Sequence, residues 1–334
     1  MFDVSFLLIV IVLVALIFDF TNGAHDCANA IATVVSTKVV TPRFAVGAAA
    51  LLNLCGALVG TEVAMTLGGG IVVPEVVESS HFLVLAALSG AIAWNLVTWY
   101  FGIPSSSSHA LIGGLIGAAT AHAGFWALNW KGIVYKVLMP LVASPVLGFA
   151  IGMAFMWCIY RVCANLHRAR GNTLFRRLQI VSAGLMATSH GLNDAQKTMG
   201  IITLTLLIFG KTDSLEVPLW VKLVCAGAMS LGTAFGGWKI VKTMGHRIFK
   251  MEPIHGFVAE TSAALVISSA SFFGAPVSTT HTISACIFGV GSTRCLSAVR
   301  WPLAGHMMTA WILTIPATGL IGFISYRIFI LFGV

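Results

Sequence analysis

Polar residues in this chain are gathered into short intervals between long apolar runs, and those runs set its architecture. Stretches of about 17–25 mostly apolar residues, the length of a membrane-crossing helix, recur from end to end. They predict helical spans at 4–36, 44–66, 82–102, 105–124, 134–160, 178–210, 219–244, 256–273, 276–292 and 301–331, ten crossings in all. The weaker alternating pattern of a transmembrane β-strand does not fit these runs. Glycine among polar residues predicts a break at 22–24 in the first span and at 190–192 in the sixth. Residues 4–18 have no basic flank and no small-residue cleavage motif, and apolar character resumes after residue 30. The run therefore reads as a first spanning helix and not as a removable leader.

Composition agrees. The chain is 58% hydrophobic and 9% charged with a mean hydropathy of +0.95, far from the roughly 25% charged residues of a soluble domain. The expected fold is an all-α polytopic membrane protein, with lipid as its surroundings. The net charge of +8 suggests nucleic acid in a soluble protein, but in a membrane protein basic residues report loop orientation, so no nucleic-acid partner is expected. Seven scattered cysteines, with no CxxC pair, read as apolar fillers.

Loop charge orients the spans. The most polar connection, 161–177, holds Arg161, Arg168, Arg170, Arg176 and Arg177 and is expected in the cytoplasm. With five crossings before it, both termini fall outside. Inside loops then hold thirteen Lys and Arg, including Lys38, Arg43, Lys239, Lys242, Arg247, Lys250, Arg294 and Arg300. Outside segments hold five, together with Asp3, Glu75, Glu78, Asp213 and Glu216.

The chain also repeats. GAHDCANAIAT at 23–33 aligns with GLNDAQKTMGI at 191–201, PSSSSHALIGGLIG at 104–117 with PVSTTHTISACIFG at 276–289, and Gly60-Thr61 with Gly232-Thr233. Three matches in register predict a first repeat over 1–160 and a second over 178–334, joined by the basic linker 161–177. Each repeat crosses an odd number of times, so the copies must be inverted. Inverted repeats with broken helices meeting near the midplane are the architecture of secondary transporters.

The chemistry sits at corresponding places. Asp26 and Asp194 occupy one position in the two copies, and a carboxylate in a bilayer requires a polar cavity, a partner or an ion. Asn29 and Lys197 each follow three residues later, on the same helix face; Gln196 adds an amide, and His25 corresponds to Asn193. Imidazole titrates near neutrality, so His25 is a candidate proton carrier, with a structural hydrogen-bonding role as the alternative. In the second pair of motifs, proline and hydroxyl residues mark helix N-termini, which both cap helices and bind anions. Ser106, Ser107 and Ser108 with Ser278, Thr279 and Thr280 are candidate ligands of an oxyanion, because capping needs one hydroxyl and the first copy offers four in a row.

Charge balance sets the expected mechanism. Asp19, Asp26, Glu62, Asp194 and Glu260 lie within spans and, with Lys136, Lys222, Lys239, Lys242 and Arg327 counted in the adjoining loops, only Lys197 stands against them. An anion bound there requires cations beside it, which predicts symport with H⁺ or Na⁺, sodium being held at Asp26 and Asp194. Phosphate is favoured over sulfate because it keeps an O–H that can donate to a carboxylate. Glu260 is a further candidate cation ligand or relay, and Asp19 and Glu62 are left without assigned roles.

At GAHDCANAIAT and HGLNDAQK, and again at PSSSSH, GFVAETSAALVI and GAPVSTTHTI, the chain resembles the inorganic phosphate transporter (PiT) family of secondary carriers. The resemblance implies inverted repeats with outside termini, a homodimer in the plasma membrane, and phosphate carried with Na⁺ or H⁺, in some members as a metal–phosphate complex. It assigns Asp26, Asn29, Asp194, Gln196 and the two Ser/Thr clusters to the phosphate and cation sites. His25-Asp26 replaces the Asn-Asp of many members and resembles bacterial permeases regarded as proton-coupled, which favours H⁺. A sulfate permease of the same fold is the nearest alternative. An enzyme is disfavoured, since GxSxG and HExxH are absent and no catalytic triad would be duplicated. A channel is disfavoured because acids facing helix-end anion sites suit coupled binding better than a pore of one sign. No cofactor is expected.

Overall fold

The computed structural model describes residues 4–73, 76 and 80–332; Asp3, Glu75 and Glu78 lie outside the described residues. Among the described residues, the principal helices fall into two sets of six. The first is α1 (Val4–Ser36), α2 (Pro42–Ala57), α3 (Glu62–Gly70), α4 (Phe82–Phe101), α5 (Ser107–Ala123) and α6 (Trp130–Val162). The second is α7 (Arg168–Ile208), α8 (Leu219–Phe235), α9 (Trp238–His246), α10 (Pro253–Phe272), α11 (Thr279–Arg294) and α12 (Trp301–Leu331).

The two sets exchange partners in matching pairs. Helix α1 packs on α8 and α9 as α7 packs on α2 and α3, and α5 lies against α12 as α11 lies against α6. Helices α1 and α7 run antiparallel against each other: Thr37, just past α1, bonds Gln179 at 2.9 Å, and Thr33 shares a partner with Ser182, while Asp19 faces Thr198. Buried apolar side chains form two clusters, one reaching Phe18 and the other beginning at Cys27. The polar seam of α1 lies between them.

The expected breaks are elsewhere. Helices α1 and α7 continue through 22–24 and 190–192. A Cβ on Gly23 would lie 2.2 Å from the Met229 carbonyl oxygen of α8, and one on Gly191 would lie 2.1 Å from that of Asn53 on α2. These glycines let two helix backbones touch, the other use of a missing side chain. The interruptions fall instead at Leu58–Thr61, between α2 and α3, and between α8 and α9, where the axis turns by 70°. Gly236 takes φ 82° there, and the Gly237 N–H freed by the bend donates to Cys27 Sγ at 2.8 Å.

Among the described residues, five helices are long and apolar enough to cross a membrane individually, or six if bent α8–α9 is one span. Of the ten expected spans, 44–66, 178–210, 256–273 and 276–292 fall short. The first is broken, the polar seam lowers the hydropathy of α7 and α10, and α11 has only 16 residues. The starts of α5 and α11 are also not at a surface: Pro104–Ser108 and Pro276–Thr280 are buried, although Phe101 and Phe273 shortly before them are exposed. Each of the pairs α4–α5 and α10–α11 is thus a hairpin whose tip ends inside the protein.

Candidate functional site

Each hairpin tip delivers a run of hydroxyls, and each position in the run has a distinct task. Ser106 and Ser278 are the N-caps of α5 and α11, accepting from the N–H of His109 at 3.3 Å and of His281 at 3.2 Å. The next hydroxyl faces an acid: Ser107 donates to Asp26 Oδ2 at 3.4 Å, and Thr279 donates to Asp194 Oδ2 at 3.1 Å. The third reaches the other set of helices. Lys197 Nζ donates to Ser108 Oγ, and Asn29 Nδ2 donates to Thr280 Oγ1 at 2.9 Å. Thr280 also donates to Asp26 Oδ1 at 3.3 Å.

The acids are held differently. Asp26 Oδ1 lies 2.6 Å from His25 Nδ1, and the far ring nitrogen of His25 meets Thr98 Oγ1 at 3.1 Å and Ser105 Oγ at 3.4 Å. Asp194 Oδ1 accepts from Lys197 Nζ, which also donates to the Val277 carbonyl at 3.3 Å. Asp194 Oδ2 lies 3.3 Å from His190 Nε2, whose other nitrogen meets Asn53 Oδ1 at 3.1 Å. Ligand atoms of Asp26, His190 and Asp194 lie within 4.8 Å of one another, a spacing that could hold a cation.

All of these side chains are buried; Asp26 is 2% exposed and Asp194 0%. Two carboxylates at such a separation repel by about 3 kcal/mol at an effective dielectric near 20. Lys197 compensates one of them. The first-turn N–H groups of a helix have no intrahelical acceptor, so α5 and α11 aim the N–H groups of Ser107, Ser108, Thr279 and Thr280, with their positive dipole ends, at the same centre. Hydrogen-bond donors suited to an anion and carboxylates suited to a cation are therefore interleaved within one buried cluster.

Not every expected residue joins it. Gln196 turns its carbonyl to the N–H groups of Val63 at 2.7 Å and Ala64 at 3.3 Å, and its amide donates to the Leu192 carbonyl at 2.7 Å. It closes the start of α3, whose first N–H groups need acceptors. Glu260 forms its own cluster, accepting from Thr33, Ser182 and Gln179. Thr33 is two helical turns beyond Asp26, so that cluster lies about 10 Å along α1. Asn193 is buried with neither amide atom paired among the described residues. Glu62 accepts from the Thr61 N–H at 2.9 Å at the start of α3.

Sequence reasoning missed His190, Asn53, Thr98 and the three donors to Glu260. His190 was findable, since it stands one helical turn before Asp194. The others come from helices distant in sequence.

A model described as the phosphate transporter family matches residues 22–171 and 164–322. A "probable low-affinity inorganic phosphate transporter" of Bacillus subtilis (strain 168) is 48% identical over 323 residues, 96% of this chain and 97% of that one. One of the same description from Rhizobium meliloti (strain 1021) is 49% identical, covering 96% of each chain. Among solved structures, "the sodium-dependent phosphate transporter" superposes with a TM-score of 0.89 at 26% identity, covering 97% of this chain and 99% of that one. These relatives are named for transport, not catalysis, and with matches spanning nearly its whole length the chain belongs to the phosphate transporter family.

Proposed function

We propose that this protein imports inorganic phosphate across the membrane by cation symport with alternating access. The observation that carries the proposal is the convergence of two hydroxyl-bearing helix N-termini on two buried aspartates with a single lysine between them. Phosphate binds at Ser107, Ser108, Thr279 and Thr280, with Asn29 and Lys197 as flanking donors. Its protonated oxygen donates to a carboxylate, which sulfate at neutral pH cannot do.

Coupling follows from charge. Phosphate brings more negative charge to a cluster in which Lys197 balances one acid, so the remaining acid takes up a cation before the anion binds. We assign a proton to that step, held by the His25–Asp26 pair. A second reading, sodium at Asp26, His190 and Asp194, is supported by the spacing of those ligand atoms and by the sodium-dependent name of the solved relative.

Residues 1–160 and 178–334 form two inverted repeats about the linker 161–177. The antiparallel packing of α1 on α7 and the matched exchange of partners support this. Counting the hairpins as re-entrant leaves α1, α2–α3 and α6 as three crossings in the first half, with α7, α8–α9 and α12 in the second. Three is odd, so the inversion survives the reduced count. Rocking one half against the other opens the buried cluster first to one side and then to the other. Family resemblance supports a homodimer in the bacterial inner membrane with both termini outside.

Uptake of radiolabelled phosphate into proteoliposomes tests this, comparing an imposed pH gradient with an imposed Na⁺ gradient and competing with sulfate. Uptake driven by the pH gradient and resistant to sulfate supports the first reading, and uptake driven by sodium alone supports the second. Gradient-driven sulfate uptake without phosphate uptake would replace the cargo.

A further inference from the structure

The carboxylate of Asp19 has no place in the cluster described above, yet it is 0% exposed. It lies on α1 seven residues, or about 10 Å, before Asp26. The Thr198 hydroxyl of α7 faces it, and Cys225 of α8 is nearby. Neither Asp19 oxygen reaches hydrogen-bonding geometry with any protein group among the described residues. The same holds for both amide atoms of Asn22, one turn further along the same face, and for Thr198 Oγ1. Both residues are also 0% exposed.

An unpaired buried carboxylate is among the least favourable groups a membrane helix can carry, and an unpaired buried amide beside it adds to that cost. Nearby backbone packing leaves little room for rearrangement. A Cβ on Gly232 of α8 would lie 2.1 Å from the Phe20 carbonyl oxygen, so α1 and α8 are in contact at this level. Helices α1 and α8 are thus close-packed beside Asp19, with Thr198 as its polar neighbour.

We infer that Asp19, Asn22 and Thr198 form a monovalent-cation site, filled by Na⁺, on the N-terminal side of the aspartate cluster. The donor set is a carboxylate, an amide oxygen and a hydroxyl, the hard oxygen ligands that alkali and alkaline-earth cations take, and a single negative charge suits a monovalent ion. The site is not duplicated. By the alignment of the repeats Asp19 corresponds to Ala187 and Asn22 to His190, so the cation here belongs to one side of the protein only. With Glu260 two turns beyond Asp26 on the opposite side, the α1–α7 seam carries acids at three levels spaced about 10 Å apart.

The test needs no phosphate, so it is independent of the reading of the cargo. Full-length purified protein in lipid nanodiscs is titrated with NaCl against choline chloride at constant ionic strength, and its melting temperature is followed. A cation that binds only the folded state raises that temperature saturably. Sodium at the central acids is separated by the Asp26→Asn variant. The site predicts that the sodium-dependent rise persists in Asp26→Asn and is lost in Asp19→Asn. Asn22→Leu and Thr198→Val, which remove one oxygen each while keeping volume, shift the half-maximal sodium concentration upward and carry the test should Asp19→Asn fail to fold. A wild-type protein with no saturable sodium response, a response lost in Asp26→Asn, or one unchanged in both Asn22→Leu and Thr198→Val would overturn the site.

Discussion

Lys197 stands in the second half of the chain where Asn29 stands in the first, and each crosses to the opposite hairpin tip: Lys197 to Ser108, Asn29 to Thr280 at 2.9 Å. The two contacts are thus alike in place while their charge is not. One carboxylate, Asp194, is compensated by an ammonium; the other, Asp26, leans on a histidine that carries charge only when protonated. A symmetric cradle with an asymmetric charge is suited to an anion that arrives with one cation in excess.

Lys197 is the first place to test this division. Lys197→Met removes the partner of a buried carboxylate, and breaking a buried pair in this way costs about 3–5 kcal/mol. The melting temperature of the variant in detergent should fall, and the double variant Lys197→Met/Asp194→Asn should recover most of the loss. Equal melting temperatures for wild type and Lys197→Met would mean that the pair is not formed.

Glu260 accepts from three donors on two other helices. Glu260→Ala strands those donors, at about 1–3 kcal/mol each, whereas Glu260→Gln keeps the volume and one acceptor oxygen. Thermal unfolding should rank wild type above Gln and Gln above Ala. An unchanged melting temperature in Glu260→Ala would show the cluster to be dispensable for stability.

Helix contact through glycine makes a steric prediction. A Cβ on Gly117 would sit 1.9 Å from the Gly319 carbonyl oxygen, where α5 meets α12. Overpacking of this kind costs about 1–3 kcal/mol, so Gly117→Ala should lower stability measurably. Gly47→Ala, with nothing within 4 Å, should not, and a matched melting-temperature pair checks both.

Orientation is tested at Cys295, in the exposed connection between α11 and α12. The Ser297 hydroxyl, 2.8 Å away, holds the Cys295 thiol below its ordinary value. More of it is thiolate at a given pH, so labelling begins at lower pH than for an ordinary cysteine. In a variant retaining only Cys295, a membrane-impermeant maleimide should label inside-out vesicles and spare intact cells. The reverse pattern would invert the topology.

Much of this was legible in the sequence because apolar length and repetition are local signals. The duplicated Asp26 and Asp194, the hydroxyl runs and the helix ends at Ser106 and Ser278 all follow from residues close together in the chain. What was misread was the purpose of Gly23 and Gly191, since a glycine that admits a neighbouring backbone looks in sequence like one that breaks a helix. Gln196 follows Asp194 by two residues, and nothing local in the sequence announces that the N–H groups opening α3, some 130 residues away, claim its side-chain oxygen. The buried tips at Pro104 and Pro276 were also hidden, because a hairpin ending inside a protein and one ending at a membrane surface have the same local sequence.

The central claim is that Asp26 and Asp194 are where the driving cation and phosphate meet. The most direct measurement is gradient-driven uptake of radiolabelled phosphate into proteoliposomes containing Asp26→Asn or Asp194→Asn, with folding checked by gel filtration. The account predicts that both variants elute as the wild type does and take up no phosphate above empty liposomes; normal uptake by both would contradict it.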